Sequence, residues 1–506
     1  MSETPAPGPE WRRRPSWWLD THPVPERGTP LQDGEEHDVV IVGAGLTGLV
    51  TAVLLATAGW RTCVVEARTV GAVATGNTTA KVSLLQGTML SRLRSRHGEK
   101  VVRGYVEANL AGQAWLREFL TSRGAAWEVR DAFTYAAGEE ARSRLAEEVG
   151  AAQAAGLPLD WADETGLPFP VAGAVRLADQ GQIHPTEALD ALLSEFLAQG
   201  GTLHTGCRVT DVDAGQPCRV TTAAGELRAD QVVLATGTPI LDRGGHFARL
   251  HPERSYALAF RVPGPIPRGM YLSADQPTRS LRTATGPAGE MLLVGGNGHV
   301  VGREASPSLQ VADLAAWTGL HFPGAELTHV WSAQDYRPAA GLPLVGPLAW
   351  SRDRIHVATG FSKWGMANGA AAGLRLASAL AGTVPAWGEA MDAAHALAGL
   401  GQGARYNLDV AGQLVAGWAA ATSRALPPTP PAEDEGVVGR LGARPAARST
   451  VDGSTCTVSA VCTHLGGILA WNDAERSWDC PLHGSRFDHT GALLEGPAVS
   501  DLERLD

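Results

Sequence analysis

Two short motifs near the end of the chain combine the side chains that bind iron or zinc. Cys462-Thr-His464 is followed, after fifteen residues, by Cys480-Pro-Leu-His483. Two thiolates can hold one iron of a [2Fe–2S] cluster while two imidazoles hold the other iron. A zinc ion could use the same four residue types. The spacing therefore predicts a metal centre with Cys462, His464, Cys480 and His483 as ligands.

A glycine-rich turn in the N-terminal part has the spacing of a dinucleotide-binding site. The apolar, β-branched stretch 38–42 runs directly into Gly43-Ala-Gly-Leu-Thr-Gly48 and then into an apolar helix pattern. Gly43 permits a tight turn, Gly45 lets the backbone approach a pyrophosphate, and Gly48 lets helix and strand pack closely.

An acidic residue follows this turn at the distance that a dinucleotide site requires. A second strand pattern at 61–65 ends at Glu66, 18 residues after the last glycine of the turn. A carboxylate at this place can bind ribose hydroxyls. Strand, turn, helix, strand and acid occur in the right order, so we expect the N-terminal part to bind a dinucleotide.

Residues 38–385 resemble the FAD-dependent oxidoreductases of the D-amino-acid and glycine oxidase superfamily. The segments that carry the resemblance are Glu66-Ala-Arg68, TGNTTAK at 75–81, Ile183-His184-Pro185, CRVTDV at 207–212, QVVLATG at 231–237, GLPLVG at 341–346 and VATGFSKWGMANG at 357–369. The resemblance implies that the dinucleotide is FAD. It also implies FAD contacts from Gly43, Gly45, Gly48, Glu66, Ala67, Arg68, Thr79, Val209, Thr236, Gly237, Gly360, Lys363, Gly365 and Met366.

The chain has only three lysines, and two of them fall in segments that face the flavin by this resemblance, Lys81 and Lys363. Each could offer a compact positive charge to reduced flavin or to a substrate carboxylate. Arg337, in YRPAAG, lies near the position where glycine-oxidase-like members hold a substrate carboxylate, although the surrounding motif differs. Lys363, Lys81 and Arg337 are therefore the candidate catalytic residues, with an ordinary surface or structural role as the alternative for each.

The run from CTHLGG to LLEGPA resembles Rieske [2Fe–2S] domains across both ligand loops, which favours a cluster over zinc. High-potential respiratory Rieske proteins carry an extra cysteine pair where this chain has Gly467 and Leu482. Ser485 matches the family serine that hydrogen-bonds a cluster sulfur, whereas Phe487 replaces a tyrosine. Fewer hydrogen bonds to sulfur stabilise the reduced cluster less. We therefore expect a potential below the respiratory range.

The two resemblances together imply an oxidoreductase. A flavin holds two electrons and a [2Fe–2S] cluster passes one at a time. The leading hypothesis is a dehydrogenase that oxidises an amine or amino-acid-like substrate by hydride transfer to flavin. Its electrons would then pass through the cluster to or from a one-electron carrier protein or a quinone.

Two alternatives stay open at this point. One is an oxidase that uses O2, with an auxiliary Rieske domain. The other is a redox-responsive electron-transfer protein without an organic substrate. The second rests only on Ala340, where the family usually has aspartate, and on the unusual Trp364.

The patterns along the chain predict an α/β, FAD/NAD(P)-binding Rossmann-like domain with an inserted antiparallel-sheet substrate domain, followed by a small all-β Rieske domain. Helix patterns cover 99–123, 139–154, 185–199 and 404–425, and short strands are expected within 250–335. We expect a Pro/Trp-rich arm at 1–36 that lies extended across the main domain. The flavoprotein domain is expected at 37–398, with its substrate part mainly within 80–180 and 250–335. A helix and proline-rich spacer at 399–435 then lead to the Rieske domain at 436–506.

Composition excludes several classes of protein. A net charge of −11 over 506 residues disfavours nucleic acid as a partner. Six cysteines are too few for a disulfide framework. The uncharged stretch 39–60 is long enough to span a bilayer but contains the glycine turn, and no apolar core follows Arg12 to Arg14. We expect a cytoplasmic protein with no membrane span.

Overall fold

The computed structural model describes residues 15–287, 289–392 and 400–505. Its helices are α1 (Trp17–Thr21), α2 (Leu46–Thr57), α3 (Met89–Arg94), α4 (Glu99–Ser122), α5 (Glu139–Ala154), α6 (Pro185–Ala198), α7 (Pro307–His321), α8 (Gly365–Leu380), α9 (Glu389–Asp392) and α10 (Leu400–Ser423). The helices expected from the sequence correspond to α4, α5, α6 and α10.

The strands form two large and two small sheets. In chain order they are β1 (Glu35–Val42), β2 (Thr62–Val65), β3 (Lys81–Val82), β4 (Trp127–Ala136), β5 (Asp160–Trp161), β6 (Gly173–Ile183), β7 (Thr202–His204), β8 (Val209–Asp213), β9 (Cys218–Thr222), β10 (Gly225–Leu234), β11 (Leu250–Arg261), β12 (Met270–Ser273), β13 (Arg279–Gly286), β14 (Gly289–Val300), β15 (Glu326–Pro338), β16 (Leu344–Pro347), β17 (Ile355–Thr359), β18 (Gly436–Leu441), β19 (Arg444–Val451), β20 (Ser454–Ser459), β21 (Ala470–Asn472), β22 (Ser477–Asp479), β23 (Arg486–Asp488) and β24 (Leu493–Glu495).

The first large sheet carries the glycine turn. Six of its eight strands follow the order β16-β17-β10-β1-β2-β7, and the other two extend from β10, with β9 paired to β10 and β8 paired to β9. The pairs β17–β10, β10–β1, β1–β2 and β2–β7 are parallel. Val39 to Val42 are all buried, as expected for a parallel strand that helices cover on its faces. The sheet therefore directs the carboxyl ends of its central strands toward one edge, where a nucleotide binds in such folds.

The second large sheet has nine strands in the order β15-β11-β14-β13-β12-β4-β6-β3, with β5 on β6. Most pairs are antiparallel, as predicted. The expectation of short strands within 250–335 is wrong, because β11, β14 and β15 have 12, 12 and 13 residues. The same region also contains α7, which begins at Pro307, a first-turn position that tolerates proline.

The N-terminal arm is anchored by tryptophans. Trp17 and Trp18 are buried and form the short helix α1, so this part of the arm is not extended as predicted. The indole N–H of Trp18 donates to the carbonyl of Thr78 at 2.6 Å, and the Ser16 hydroxyl donates to that of Gly76. The arm therefore holds the 75–81 loop. Residues 1–14 lie outside the described residues.

The C-terminal domain consists of a three-stranded sheet, β18-β19-β20, and a four-stranded sheet, β21-β22-β23-β24. The segment 427–435 does not form the expected spacer. Glu433 accepts the backbone N–H groups of Asp452 and Gly453, and the carbonyl of Pro427 accepts from Arg448. Composition predicted a semi-rigid spacer here, whereas carbonyl and carboxylate groups of the segment bind the neighbouring strands.

Further sequence expectations concern membranes and cysteines. No helix in the described part of the chain is long and apolar enough to cross a membrane. Cys63, Cys207, Cys218 and Cys456 are buried, and none of them forms a disulfide.

Candidate flavin cavity and cluster site

A cavity of about 670 Å³ is lined by residues of both large sheets. Predicted flavin contacts that line it are Gly43, Gly45, Glu66, Ala67, Arg68, Thr79, Val209, Thr236, Gly237, Lys363, Gly365 and Met366. The candidate catalytic residues Lys81 and Arg337 line it as well. Of the predicted flavin contacts and candidate catalytic residues, only Gly48 and Gly360 do not line the cavity. Residues scattered over more than 300 positions of sequence are thus brought to one cavity.

The glycine turn has the geometry that the sequence implied. Gly43 has a φ of +109°, and a Cβ there would lie 2.6 Å from the carbonyl oxygen of Ala235. A Cβ at Gly48 would lie 2.0 Å from the carbonyl oxygen of Gly43. Helix α2 can therefore approach β1 only because this position has no side chain. Gly48 acts behind the cavity wall, which explains why it does not line the cavity.

Glu66 lies at the end of β2, next to the glycine turn. Its carboxylate accepts the backbone N–H groups of Ala44 and Arg68, both at 2.9 Å. Burial raises the pKa of Glu66, although these two hydrogen bonds oppose the shift. The two bonds fix the carboxylate at the cavity wall and leave further acceptor capacity for hydroxyl groups.

Lys81 is buried and does not offer a free charge to the cavity. Its Nζ donates to the carbonyl of Tyr271 at 2.6 Å and to the Ser280 hydroxyl at 2.5 Å. Burial, followed by the charge of Arg282, lowers the pKa of Lys81 well below its ordinary value. The neutral amine is therefore favoured, and this environment opposes the predicted role of Lys81 as a fixed positive charge.

Lys363 and Arg337 share one carboxylate that the sequence reasoning did not identify. Glu253, on β11, lies 3.4 Å from Nζ of Lys363 and 2.6 Å from Nη2 of Arg337. Burial alone would raise the pKa of Glu253, but the charges of Lys363 and Arg337 outweigh it and lower the pKa. An ionised Glu253 is therefore the shared partner of the two predicted cations.

Asp335 lies directly across from Glu253 in the β11–β15 register and also lines the cavity. It accepts the backbone N–H of Lys363. Ser362 and Lys363 both have positive φ, 52° and 71°, so the turn before α8 is strained. Burial raises the pKa of Asp335 to about 7. A carboxyl group that titrates near neutrality thus holds the strained turn.

The four predicted cluster ligands converge in the C-terminal domain. The thiols of Cys462 and Cys480 are buried and in hydrogen-bonding contact. The rings of His464 and His483 lie 5.1 Å apart at 83°. The thiols contact each other and the imidazoles contact each other, but in the described part of the chain no three or more His, Cys, Asp or Glu side chains are grouped as ligands of a single ion. Two separate pairs of donors suit the two irons of a [2Fe–2S] cluster.

The polar atoms of the two imidazoles fit iron ligation. Nδ1 of His483 is buried without a hydrogen-bond partner among the described residues. Burial, followed by the charge of His464, lowers the pKa of His483 to about 4, which favours the neutral, ligating form. Nε2 of His464 lies 2.8 Å from the Asp242 carboxylate of the flavoprotein part, which orients the ring and leaves Nδ1 for iron.

Two details around the cluster loops agree with the sequence comparison. A Cβ at Gly467 would lie 2.7 Å from the side chain of Leu482, so these residues face each other where other Rieske proteins have a disulfide. The Ser485 hydroxyl hydrogen-bonds to Cys462 and also accepts the N–H of Ala498 at 3.0 Å.

The cavity and the cluster loops share a wall. Leu494, Glu495 and Gly496 of the C-terminal domain line the cavity. From the other side, the Gln334 amide donates to the Gly484 carbonyl, next to His483, at 2.8 Å. The C-terminal domain is therefore in direct contact with the flavin cavity.

A cluster of buried ion pairs joins the C-terminal domain to β11 of the flavoprotein part. Arg254 of β11 forms ion pairs with Glu475 and with Glu495, the latter at 3.2 Å. Arg486 pairs with the same two carboxylates at 2.6 and 3.1 Å. Together with Ser332, which donates to Glu475, these groups leave few polar atoms unsatisfied.

A close backbone approach adds to this interface. A Cβ at Gly302 would lie 2.8 Å from the Asp479 carbonyl oxygen and from the Pro481 nitrogen. Nε of Arg303 donates to the carbonyl of Pro481 at 3.0 Å. The second cluster loop thus fits closely against the end of β14.

Sequence reasoning missed Glu253, Asp335, Gln334, Arg254 and Arg282. Arg282 is buried and donates to the carbonyls of Thr79, Ala80 and Ile183, so it holds the flavin loop. A charged residue inside a strand otherwise rich in apolar residues is the signal that could have identified Arg254 and Arg282. Nothing in the sequence pairs Glu253 with the two cations, because β11, β15 and the 361–365 turn are far apart along the chain.

A model of the FAD dependent oxidoreductase family matches residues 38–379. The chain belongs to this family. Its N-terminal part is therefore an FAD-binding domain, and the cavity is the candidate site for the flavin. A model of the Rieske [2Fe-2S] domain matches residues 432–506, so the C-terminal domain carries a [2Fe–2S] cluster. The zinc alternative is thereby closed.

Known proteins resemble the whole chain or its parts. The "Putative Rieske 2Fe-2S iron-sulfur protein YhfW" of Bacillus subtilis (strain 168) is 31% identical over 482 residues, which cover 94% of each chain. The cytochrome b6-f complex iron-sulfur subunit 1 of Nostoc sp. (strain PCC 7120 / SAG 25.82 / UTEX 2576) is 51% identical over 45 residues, 9% of this chain and 25% of that protein.

Two solved structures show the fold of the N-terminal part. Glycine oxidase from Geobacillus kaustophilus superposes with a TM-score of 0.59 at 20% identity, covering 70% of this chain and 96% of its own. L-proline dehydrogenase from P.horikoshii has a TM-score of 0.59 at 15% identity, covering 71% and 96%.

Proposed function

We propose that this flavoprotein is a dehydrogenase that oxidises an amine or amino-acid-like small molecule by hydride transfer to FAD and passes the electrons on through its own cluster. The observation that carries the proposal is the shared wall, in which Gln334 of the cavity contacts Gly484 of the second cluster loop. Bound FAD supplies a two-electron acceptor and the cluster a one-electron relay.

Different residues of the chain would bind the FAD and the iron–sulfur cluster. Gly43 and Gly45 let the backbone at the start of α2 reach the cavity wall, where the pyrophosphate would bind, and Glu66 offers its carboxylate to ribose hydroxyls. Cys462, Cys480, His464 and His483 are the proposed iron ligands.

The substrate binds on the side of the cavity lined by β11 and β15. This wall carries Glu253, Asp335 and Arg337, and Lys363 reaches it from the turn before α8. The proteins of similar fold named glycine oxidase and L-proline dehydrogenase support an amino-acid-like substrate. An uncharged or zwitterionic amine suits a wall whose charges are mutually paired.

Electrons leave through the exposed side of the cluster loop. Leu465, directly after His464, is 44% exposed. Trp418 of α10 is partly exposed and donates its indole N–H to the Gly466 carbonyl. This small apolar surface is where a one-electron carrier protein or a quinone would come nearest to the cluster.

An anaerobic reduction screen tests the proposal. The holoenzyme is mixed with amines and amino acids while flavin absorbance and the electron paramagnetic resonance signal of the reduced cluster are recorded. We expect one compound class to bleach the flavin and then to produce the cluster signal. Cys480→Ser, which removes a ligand thiol, should retain flavin bleaching and lose the cluster signal.

Two results would contradict the proposal. The first is that no amine or amino acid reduces either centre while dithionite reduces both. The second is that aerobic turnover forms hydrogen peroxide in proportion to substrate while the cluster stays oxidised, which would identify an oxidase with an auxiliary cluster.

A further inference from the structure

One wall of the cavity carries two arginines that form no ion pair with the described residues. Met89, Arg92 and Leu93 of α3 line the cavity, and so does Arg96, which lies in the turn directly after the end of this helix. Among the described residues, neither Arg92 nor Arg96 forms an ion pair, taken as a nitrogen–oxygen distance of up to 4 Å to a carboxylate.

Arg92 lies close to the other cations of the cavity. Desolvation at the cavity wall, followed by the charge of Arg337, lowers the pKa of Arg92, although part of the residue stays exposed. Its Nε donates to the Thr88 carbonyl at 3.1 Å, and Nη2 lies 4.0 Å from the Met89 sulfur. Three of the five guanidinium N–H donors are not used in these two contacts, so the group has capacity for a planar anion.

The two cations that the sequence reasoning favoured are already occupied. Glu253 bridges Arg337 and Lys363, and the Glu253 side chain is only 17% exposed. A substrate carboxylate that approached this pair would have to displace Glu253 or lie against its like charge. Glu253 thus stands where a substrate carboxylate would otherwise bind.

We propose that Arg92 of α3 and Arg96, in the turn after this helix, bind an anionic, carboxylate-type group of the substrate. Glu253 blocks the Arg337–Lys363 pair from binding the same group. This inference rests on the proposed function only in that a small molecule enters the flavin cavity. The inference places the anionic group of the substrate next to Arg92 and Arg96. The substrate is then an anion-bearing molecule that extends across the cavity from Arg92 toward β11 and β15.

Anion binding to the oxidised holoenzyme tests the inference without turnover. Anthranilate, an aromatic carboxylate, is titrated while the flavin absorbance spectrum is recorded. We expect saturable perturbation in the wild type and a Kd raised about tenfold or more in Arg92→Met, the factor that corresponds to about 1.4 kcal/mol. Flavin content and the cluster spectrum of each variant establish that it has folded.

Matched variants separate the two arginine sites. Arg94→Met is on the same helix but its side chain does not line the cavity, so the Kd should stay unchanged. Arg337→Met should change the Kd by less than about threefold, because Glu253 already occupies it. Glu253→Gln should tighten binding, because it frees Arg337 and Lys363.

The inference is overturned by any of three results. They are the absence of saturable binding in the wild type, a Kd in Arg337→Met that rises as much as in Arg92→Met, or weaker binding in Glu253→Gln. None of these depends on electron transfer, so failure here and failure of the dehydrogenase proposal are distinguishable.

Discussion

The side-chain amide of Gln334 donates a hydrogen bond of 2.8 Å to the backbone carbonyl of Gly484. Gln334 lines the flavin cavity and Gly484 directly follows the proposed cluster ligand His483. A single hydrogen bond therefore connects the wall of one redox site to the ligand loop of the other. We propose that electrons pass between the two sites inside one chain, across this contact.

The flavoprotein part and the second cluster loop are in close contact at Gly302, so a methyl group added there should destabilise the protein. In Gly302→Ala the new Cβ would collide with the backbone of Asp479 and Pro481 at 2.8 Å. Gly124→Ala has a similar positive φ, 71° against 68°, but no atom within 4 Å of the new Cβ. We expect Gly302→Ala to lose about 1–3 kcal/mol more unfolding free energy than Gly124→Ala.

Urea unfolding and hydrogen exchange check this prediction. Amide hydrogen exchange at residues 479–484 should accelerate in Gly302→Ala, because the added methyl group pushes the second cluster loop away from residue 302. Equal effects of the two alanine variants on stability and exchange would show that the contact at Gly302 is not tight.

The buried ion pairs of Arg254 predict a large cost of its removal. Arg254→Met leaves Glu475 and Glu495 with Arg486 as their remaining cation, and an uncompensated buried charge costs about 3–5 kcal/mol. Arg444→Met, which removes an exposed pair with Glu503, should cost about 0–1 kcal/mol. The measurement is the urea midpoint of the holoenzyme. Similar midpoints for both variants would contradict a stabilising role of the buried network.

The hydroxyl of Ser485 predicts a shift in the cluster potential. It hydrogen-bonds to Cys462, and such a bond stabilises the reduced, more negative cluster. Ser485→Ala should lower the midpoint by roughly 60 mV, since about 1.4 kcal/mol corresponds to 59 mV for one electron. Redox titration followed by electron paramagnetic resonance measures it. Thr463→Ala is the control, because that hydroxyl bonds the Ser500 carbonyl.

The same titration tests the expectation for the wild type. Phe487 is fully buried and supplies no hydroxyl to the cluster. We expect a midpoint below the top of the Rieske range, which lies at about +300 mV. A wild-type value near that upper limit, or an unchanged midpoint in Ser485→Ala, would contradict this account of the loops.

Asp335 predicts a pH dependence of stability. Because burial raises its pKa to about 7, the folded protein binds this proton more tightly than the unfolded chain. The stabilising contribution of the protonated group is complete below the unfolded pKa near 4 and is lost as the pH rises to 7. Asp335→Asn cannot ionise and still accepts the Lys363 N–H.

Thermal unfolding at pH 5 to 8.5 provides the measurement. The difference in Tm between Asp335→Asn and the wild type should increase in favour of the variant up to about pH 7 and then level off. A difference that does not change with pH would show that Asp335 ionises at its ordinary value.

The parts of the site that are local in sequence were predictable. The glycine turn and the Cys/His loops need particular residues at short, fixed spacings, so Gly43 to Gly48 and Cys462 to His483 could be identified from the sequence. The family resemblance then placed residues as distant as Val209 and Met366 in one cavity.

Contacts between distant segments were not predictable from the sequence. Lys81 was expected to face the cavity as a charge, but β12 and β13 supply the acceptors that bury it. Glu253 became the partner of Lys363 only through the long β11–β15 pairing. The segment around Glu433 was expected to be a spacer because composition does not indicate which surface its carboxylate binds.

The rate of cluster reduction after the flavin has been reduced tests the central claim most directly. The holoenzyme is mixed anaerobically with the reducing substrate found in the screen, or with dithionite at limiting amount, over a tenfold range of protein concentration. Rapid freezing and electron paramagnetic resonance then follow the cluster. Transfer within one chain predicts a first-order rate that is independent of protein concentration. A rate that increases in proportion to concentration would show transfer between molecules and contradict the account.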